Sequence, residues 1–194
     1  MSIYELKPRF QAALRPLTGA LYQAGITANQ VTVAACAVSV LLGLALAAAP
    51  EQRALFLLVP LWLLLRMALN AIDGMLAREH GQASRLGAYL NELGDVVSDA
   101  ALYAPFALLA GSSAWLVGLL VFLAVLSEMA GVLGKVRRYD GPMGKSDRAA
   151  VFGVVGLLAG LGVPLAPALN WIWAAVIALL VLTIVNRVKR GMEA

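Results

Sequence analysis

Long apolar runs separated by short polar connections dominate this chain. Apolar helices of roughly 17 to 25 residues are long enough to cross the hydrocarbon core of a bilayer. No stretch alternates apolar and polar residues with a period of two, which argues against a β-barrel. The pattern predicts an all-α integral membrane protein with six transmembrane helices, at about residues 30–49, 54–78, 86–110, 113–134, 149–166 and 169–187.

The first 26 residues differ from these runs, because basic residues are spaced among apolar ones. This pattern predicts an amphipathic helix at the membrane interface, bent at Pro8 or Pro16, and no cleaved signal peptide. Thr27 and Gln30 form a capping-box pattern that marks the start of the first transmembrane helix. The rest of the chain is then a six-helix bundle (27–190), within one domain that spans the whole sequence.

Charge and composition give the orientation of the bundle. Of the 194 residues, 61% are hydrophobic and 13% are charged, which leaves too little polar surface for a water-soluble globule. Basic residues concentrate in the connections on one side of the bundle, and only Arg53 lies in a connection on the other side. This bias places both termini and the two basic loops in the cytoplasm, and the protein in the inner membrane if it is bacterial. The net charge of +4 follows from this topology, so no nucleic-acid partner is predicted.

Two further patterns concern packing. Trp115, Trp171 and Trp173 are expected near the outer membrane interface, as an aromatic belt. Gly156 and Gly160 are one helical turn apart and allow close helix contact. Such a face packs more often inside its own bundle than between the subunits of a homodimer.

Polar side chains form one stripe on the second predicted helix and one on the third. The two stripes consist of Arg66, Asn70 and Asp73, and of Asn91, Asp95 and Asp99. An unpaired carboxylate in lipid would cost roughly 2.5 to 3.5 kcal/mol on insertion scales, so these groups should line a shared polar cavity. A hard divalent cation such as Mg²⁺ is the simplest partner for their oxygens.

The stretch from Asp73 to Asp95 resembles the signature of the CDP-alcohol phosphotransferase family. DGMLAR, eight further residues and then Gly87 keep the spacing of the family pattern DxxDGxxAR, eight residues, GxxxDxxxD. ITANQVT is similar to the sequence that leads into the first helix of that family. The resemblance implies phospholipid biosynthesis, in which an alcohol hydroxyl attacks a CDP-linked lipid, normally CDP-diacylglycerol, and CMP is released.

The same resemblance implies roles for individual residues. Asp73 would bind a divalent metal, Mg²⁺ or Mn²⁺, and Asp95 would be the general base that accepts the alcohol proton. The residues that would surround the cytidine nucleotide are Gly74, Ala77, Arg78 and Gly87. The candidates for the metal site are Asn70, Asp73, Asn91, Asp95 and Asp99.

Asn70 and Asn91 stand where the family pattern has aspartates. An amide oxygen can coordinate a metal but brings no charge, so the four motif positions carry −2 where the family pattern carries −4. Asp99 is the best compensating acid, with Glu92 and Glu128 behind it, although Asp99 could instead pair helices. Three outcomes stay open: activity with one metal or a rearranged pair, two normally bound metals, and a weakly active or inactive family member.

A second polar stretch, GKVRRYDGPMGKSDRA, lies between the fourth and fifth predicted helices. It could bind phosphate, either of the CDP donor or of an anionic acceptor, for which we prefer a glycerol-phosphate type. The candidate substrate residues are Arg137, Arg138, Lys145, Ser146 and Arg148, together with Arg66 on the second helix. The alternatives are the positive-inside bias with headgroup contacts for the loop, and a structural ion pair for Arg66.

Two other functions compete with a transferase. An ion or solute carrier could use intramembrane acids as transport ligands, but the polar groups cluster toward one membrane face. A non-catalytic relative could bind CDP-lipid or act as a dimeric scaffold, and the two asparagines are the main argument for it. The expected partners are the lipid bilayer, CDP-diacylglycerol and an alcohol acceptor, and a homodimer is a further candidate.

Overall fold

A computed structural model describes residues 3–134 and 136–193, with side chains described from Arg9 onwards. Met1, Ser2, Lys135 and Ala194 lie outside the described residues, so the predictions that involve them are not addressed. Within the described ranges, all regular structure is helical. The α-helices are α1 (Ile3–Gln23), α2 (Ala28–Ala48), α3 (Leu58–Glu79), α4 (Arg85–Tyr103), α5 (Ala114–Val132), α6 (Lys145–Gly160) and α7 (Ala166–Met192). Short 3-10 segments precede α3 (Arg53–Leu57) and follow α4 (Ala104–Leu108).

Side-chain caps fix the start of α2. The predicted capping box is confirmed: the backbone N–H of Gln30 donates to the Thr27 hydroxyl at 3.2 Å, and the Thr27 N–H donates to Gln30 Oε1 at 2.9 Å. Gln82, in the loop between α3 and α4, accepts the N–H of Ala28 at 2.7 Å. The loop that leads into the third predicted span is therefore tied to the start of the first.

Four helical segments of the described chain are long and apolar enough to cross a membrane, and they make the chain an integral membrane protein. They are Ala28–Ala48, Arg53–Glu79, Ala114–Val132 and Ala166–Met192. The predicted count of six is not confirmed by that criterion, because α4 carries several charged residues and α6 has 16 residues. α4 also ends at Tyr103, well before residue 110, since Pro105 in the following 3-10 segment cannot donate a helical hydrogen bond.

Trp173 lies in an aromatic core between α6 and α7. Its ring stacks on Phe152 with 5.2 Å between centroids, and its indole N–H donates to the Ser112 hydroxyl at 3.0 Å. Trp173 is fully buried with its N–H satisfied inside the protein, so it packs in the core and is not part of an exposed aromatic belt. Trp115 and Trp171, in contrast, are largely exposed.

The small-residue face of α6 packs inside the bundle, against the segment that leads into α3. A Cβ placed on Gly156 would lie 3.2 Å from the carbonyl oxygen of Phe56, and one placed on Gly160 would lie 2.5 Å from Leu57 Cδ2. These two glycines therefore serve contacts within the chain. The homodimer stays a prediction.

Close helix contacts set the polar stripes into the bundle. α4 packs against α2, where a Cβ on Gly43 would collide with the carbonyl of Ala101. A Cβ on Gly94 would meet Thr32 Cγ2 at 3.6 Å. Since α3 packs against both α2 and α6, side chains from α2 and α6 can reach the interface between α3 and α4.

Candidate active site

The two predicted polar stripes meet across the interface between α3 and α4. The buried guanidinium of Arg66 donates to Asp95 Oδ1 at 3.1 Å and to Asp99 Oδ1 at 2.5 Å. The side-chain amide of Asn70 donates to the same Asp95 oxygen at 3.1 Å. The helical spacing in the sequence thus brings these four side chains together.

Asp73 lies beside this group and is held from α2. Its Oδ2 accepts a hydrogen bond from the Thr32 hydroxyl at 2.9 Å, and the residue is 7% exposed. Asp73 also interacts electrostatically with Asp95 and Lys145, so the two motif carboxylates belong to one charged cluster. Sequence reasoning missed Thr32, although it is the last residue of the ITANQVT stretch.

Lys145 reaches the same cluster from the first turn of α6. Its Nζ lies 2.5 Å from Asp95 Oδ2. The side chain of Asp147 accepts the N–H of Gly144 at 2.9 Å and fixes the start of this helix. Asp95 therefore contacts cations on both of its oxygens, Arg66 on one and Lys145 on the other.

Asp99 lies deeper and joins a second arginine. Its Oδ2 accepts from Arg148 at 3.1 Å, while its Oδ1 accepts from Arg66. Arg148 is 1% exposed and also donates to Glu128 Oε1 at 2.9 Å. With both oxygens engaged by guanidinium groups, the geometry of Asp99 favours the helix-pairing alternative over metal coordination.

Glu128 extends this buried ion-pair network to α7. Its Oε1 lies 3.4 Å from Arg187 Nη1, and Arg187 also donates to the carbonyl of Ser127. Arg187 is 2% exposed, and Glu128 also lies near Arg137 at 3.8 Å. The network therefore links α3, α4, α5, α6 and α7.

A cavity of about 720 Å³ opens beside Asp95, between α3, α4 and α6. At the end where α3 finishes and α6 begins, it is lined by Arg66, Asn70, Asn91, Asp95, Asp99, Arg137, Tyr139, Lys145 and Ser146. Further along both helices the lining is apolar: Pro60, Leu63, Leu64, Met67, Ala149, Ala150, Gly153, Val154 and Leu157. The cavity is therefore amphipathic, with Asp95 at its polar end, and Asp73 is not among its lining residues.

The predicted nucleotide-binding residues lie outside this cavity, at the facing ends of α3 and α4. A Cβ on Gly74 would lie 3.1 Å from Arg78 Nη2, so the guanidinium of Arg78 lies over this glycine. A Cβ on Gly87 would lie 2.8 Å from Asn29 Oδ1, at the start of α2. Ala77 is half-buried on the same end of α3. These positions and the cavity therefore lie next to the charged cluster, which consists of Arg66, Asp73, Asp95, Asp99 and Lys145.

The basic stretch divides into residues that line the cavity and residues that do not. Arg137 lines it, pairs with Glu92 and lies over the ring of Tyr139, 5.0 Å from the ring centroid. Arg138 does not line it, and its Nε is buried with no hydrogen-bond partner among the described residues. Arg148 is enclosed in the buried network. Of the five predicted residues in this stretch, the cavity thus presents Arg137, Lys145 and Ser146.

The donor set fits a divalent cation held together with substrate. In the described part of the chain, no three acidic, histidine or cysteine side chains gather as a metal cage. Asp73 and Asp95 offer carboxylates, and Asn70 and Asn91 offer amide oxygens. Mg²⁺ is usually held by one or two carboxylates together with substrate phosphates and water, which this set can satisfy.

Comparisons with known proteins identify a family, a related sequence and a similar fold. The model of the CDP-alcohol phosphatidyltransferase family matches residues 25–186. Inner membrane protein YnbA of Escherichia coli (strain K12) is 49% identical over 193 residues, which cover 97% of this chain and 96% of that protein. The fold is similar to the crystal structure of Mycobacterium tuberculosis phosphatidylinositol phosphate synthase (PgsA1) in complex with manganese and citrate. That match has a TM-score of 0.75 at 20% identity and covers 91% of this chain and 88% of the other.

The family match runs from just before α2 into α7 and contains the charged side chains at or beside the cavity, Arg66, Asp73, Asp95, Asp99 and Lys145. The family match indicates a CDP-alcohol phosphotransferase of phospholipid biosynthesis, and the solved structure shows the fold. The chain belongs to the CDP-alcohol phosphatidyltransferase family.

Proposed function

We propose that this protein transfers a phosphatidyl group, or another substituted phosphate, from CDP-diacylglycerol to an alcohol hydroxyl and releases CMP. The observation that carries this proposal is the amphipathic cavity, in which an apolar channel between α3 and α6 ends at Asp95. A donor with two acyl chains and a charged headgroup matches that division. Its acyl chains would lie along the apolar lining, and its cytidine would lie toward Gly74, Arg78 and Gly87.

The proposed step forms one phosphorus–oxygen bond and breaks another. The alcohol oxygen attacks the phosphorus that carries the diacylglycerol, the anhydride bond to CMP breaks, and Asp95 accepts the hydroxyl proton. Arg66 and Asn70 hold Asp95 Oδ1 in place, which orients the carboxylate toward the cavity. A divalent cation, Mg²⁺ or Mn²⁺, bound by Asp73 and Asp95 would neutralise the diphosphate and the leaving CMP.

The acceptor would bind at the polar end of the cavity. Arg137, Lys145 and Ser146 present two cations and a hydroxyl there, which suits an anionic acceptor of the glycerol-phosphate type. Arg148 is enclosed by carboxylates and Arg138 lies outside the lining, so acceptor recognition would depend on the other three residues.

The proposed topology has six membrane-crossing helices, α2 to α7, with both termini and the site on the cytoplasmic side. Asp95 and Asp99 of α4 pair with cations inside the bundle, namely Arg66, Lys145 and Arg148. These two acids therefore do not prevent α4 from crossing the membrane. The distribution of basic residues supports the orientation. The name of the Escherichia coli relative supports an inner membrane location.

The second candidate is a relative that binds CDP-lipid without turnover, on its own or as a dimeric scaffold. Two observations favour it. Asn70 and Asn91 stand where the family pattern has carboxylates, and Asp95 is paired with Arg66 and Lys145. Such a protein would still bind the donor, because the cavity and the nucleotide-facing glycines are retained.

The decisive experiment follows CMP release from CDP-diacylglycerol by purified protein in nanodiscs, with Mg²⁺ or Mn²⁺ and a panel of alcohols. We expect release with at least one acceptor, most strongly with an anionic one. Asp95→Asn should abolish release, whereas Glu51→Gln, an isosteric change at an exposed position outside the cavity, should leave it unchanged. Donor binding without CMP release for every alcohol would support the second candidate, and full activity of Asp95→Asn would refute the assigned base.

A further inference from the structure

The net charge at the motif positions differs from that of the family pattern. This difference supports an inference that rests on the proposed function. At the four motif positions, Asp73 and Asp95 contribute −2, and Asn70 and Asn91 contribute nothing. The family pattern has four aspartates there, which contribute −4. The difference of two negative charges equals the charge of one divalent cation.

The hydrogen bonds of Asp95 also favour a single divalent cation. A carboxylate has about four lone-pair sites on its two oxygens. On Oδ1, Asp95 accepts from Arg66 and Asn70, each at 3.1 Å, and on Oδ2 it meets Lys145 Nζ at 2.5 Å. About one site is left by this count, which is too few for Asp95 to bridge two cations.

Lys145 and Arg66 differ in the carboxylates that they neutralise. Arg66 divides its guanidinium between Asp95 and Asp99, so much of its charge serves the buried network. Asp95 is the single ion-pair partner of Lys145 among the described residues. The ammonium of Lys145 therefore adds its charge to the motif itself, on the oxygen that faces α6.

We propose that this protein binds a single divalent cation, and that the ammonium of Lys145 supplies at Asp95 the positive charge that a second cation supplies where all four positions are aspartates. The ammonium is fixed to the chain, so this charge does not depend on the cation concentration. Lys145 and Ser146 both line the cavity, where an anionic acceptor would meet the ammonium.

The test counts bound Mn²⁺ on purified protein in nanodiscs without substrate, by calorimetry and by electron paramagnetic resonance. We expect one Mn²⁺ per chain in the wild type and none in Asp73→Asn. In Lys145→Gln, removing a cation that competes for Asp95 should tighten Mn²⁺ binding about tenfold. Lys189→Gln removes an exposed lysine of α7 away from the cavity and is the matched control, with unchanged affinity.

The triple variant Asn70→Asp, Asn91→Asp, Lys145→Gln restores the family pattern and removes the ammonium. We expect it to bind two Mn²⁺ with the spin-coupled spectrum of a close pair, while the double aspartate variant that keeps Lys145 binds the second ion more weakly. Size-exclusion profiles and thermal melting check that each variant is folded.

Several results would overturn the inference: two Mn²⁺ or none in the wild type, a folded triple variant that binds only one, or unchanged affinity in Lys145→Gln. These results are separate from turnover. A wild type that binds one Mn²⁺ but releases no CMP would refute the proposed function and leave this inference standing. An active enzyme that binds two Mn²⁺ would support the proposed function and refute this inference.

Discussion

Asp99 is the position where the buried ion-pair network should be most sensitive to the loss of one charge. Both of its oxygens accept from guanidinium groups, of Arg66 at 2.5 Å and of Arg148 at 3.1 Å. Asp99→Asn keeps the size of the side chain and one acceptor oxygen, but it removes the charge and turns an NH₂ group toward one arginine. Because Arg66 is 3% exposed and Arg148 is 1% exposed, neither can recover its interactions in water.

The expected loss of stability depends on the ion pairs that each arginine keeps. Breaking a buried ion pair by removing one partner typically costs about 3–5 kcal/mol, because an uncompensated charge stays buried. In Asp99→Asn, Arg66 retains Asp95 at 3.1 Å and Arg148 retains Glu128 at 2.9 Å. We therefore expect a loss at the low end of that range, about 3 kcal/mol in the free energy of unfolding.

Reversible unfolding of the purified protein in mixed micelles, followed by circular dichroism during SDS titration, measures this loss. Asp140→Asn is the matched control, since Asp140 pairs with Arg190, whose side chain is 61% exposed. An exposed pair is worth about 0–1 kcal/mol, so the control should unfold nearly as the wild type does. If Asp99→Asn fell within about 0.5 kcal/mol of the wild type, the buried network would contribute no more than a surface pair, and our reasoning would be refuted.

Three further predictions use the same unfolding assay. Gly160→Ala should lower the free energy of unfolding by about 1–3 kcal/mol, because the added methyl group overpacks the contact with Leu57. The control Gly118→Ala, on α5 with open space around it, should raise that free energy by up to about 1 kcal/mol. Equal effects of the two changes would contradict the close packing of α6. Thr32→Val removes a hydrogen bond to the buried carboxylate of Asp73 and should lose about 1.5–3 kcal/mol, most of it restored in Thr32→Ser; an unchanged Thr32→Val would contradict the contact. Trp173→Phe removes the hydrogen bond to the half-buried Ser112 hydroxyl and shrinks a fully buried ring, and it should lose about 1–3 kcal/mol. Wild-type stability of this variant would contradict the packing of Trp173 in the core.

Patterns within one helix predicted the parts of the site that depend on one helix. The spacing of four residues along α3 and α4 was sufficient to place Asn70 and Asp95 on facing stripes, because helix geometry alone fixes which side chains share a face. The capping box at Thr27 was equally local. The six long apolar runs predicted α2 to α7 in the right order. The limits differed at two places, since α4 ends before Pro105 and α6 begins directly after Gly144.

Contacts between distant segments could not be read in the same way. Lys145 and Arg148 belong to one short basic stretch, yet one lies at the cavity and the other is enclosed between Asp99 and Glu128. Their separation by three residues on α6 was visible, but the side of α6 that meets the core depends on how this helix packs against α3. The burial of Trp173 was missed for the same reason, since an aromatic residue near a helix start suits both an exposed belt and a core.

Arg66 connects the chemistry of the site to the packing of the bundle. One guanidinium nitrogen binds Asp95 at the cavity and another binds Asp99 in the buried network, and the planar fork fixes the distance between these contacts. Asp95 is therefore held by the same interactions that join α3, α4 and α6. The side chain of Arg66 is 4% exposed, whereas that of Lys145 is 32% exposed. An anionic substrate that enters the cavity can therefore meet Lys145 while the Arg66 contact stays in place, so Asp95 keeps its orientation when the substrate binds.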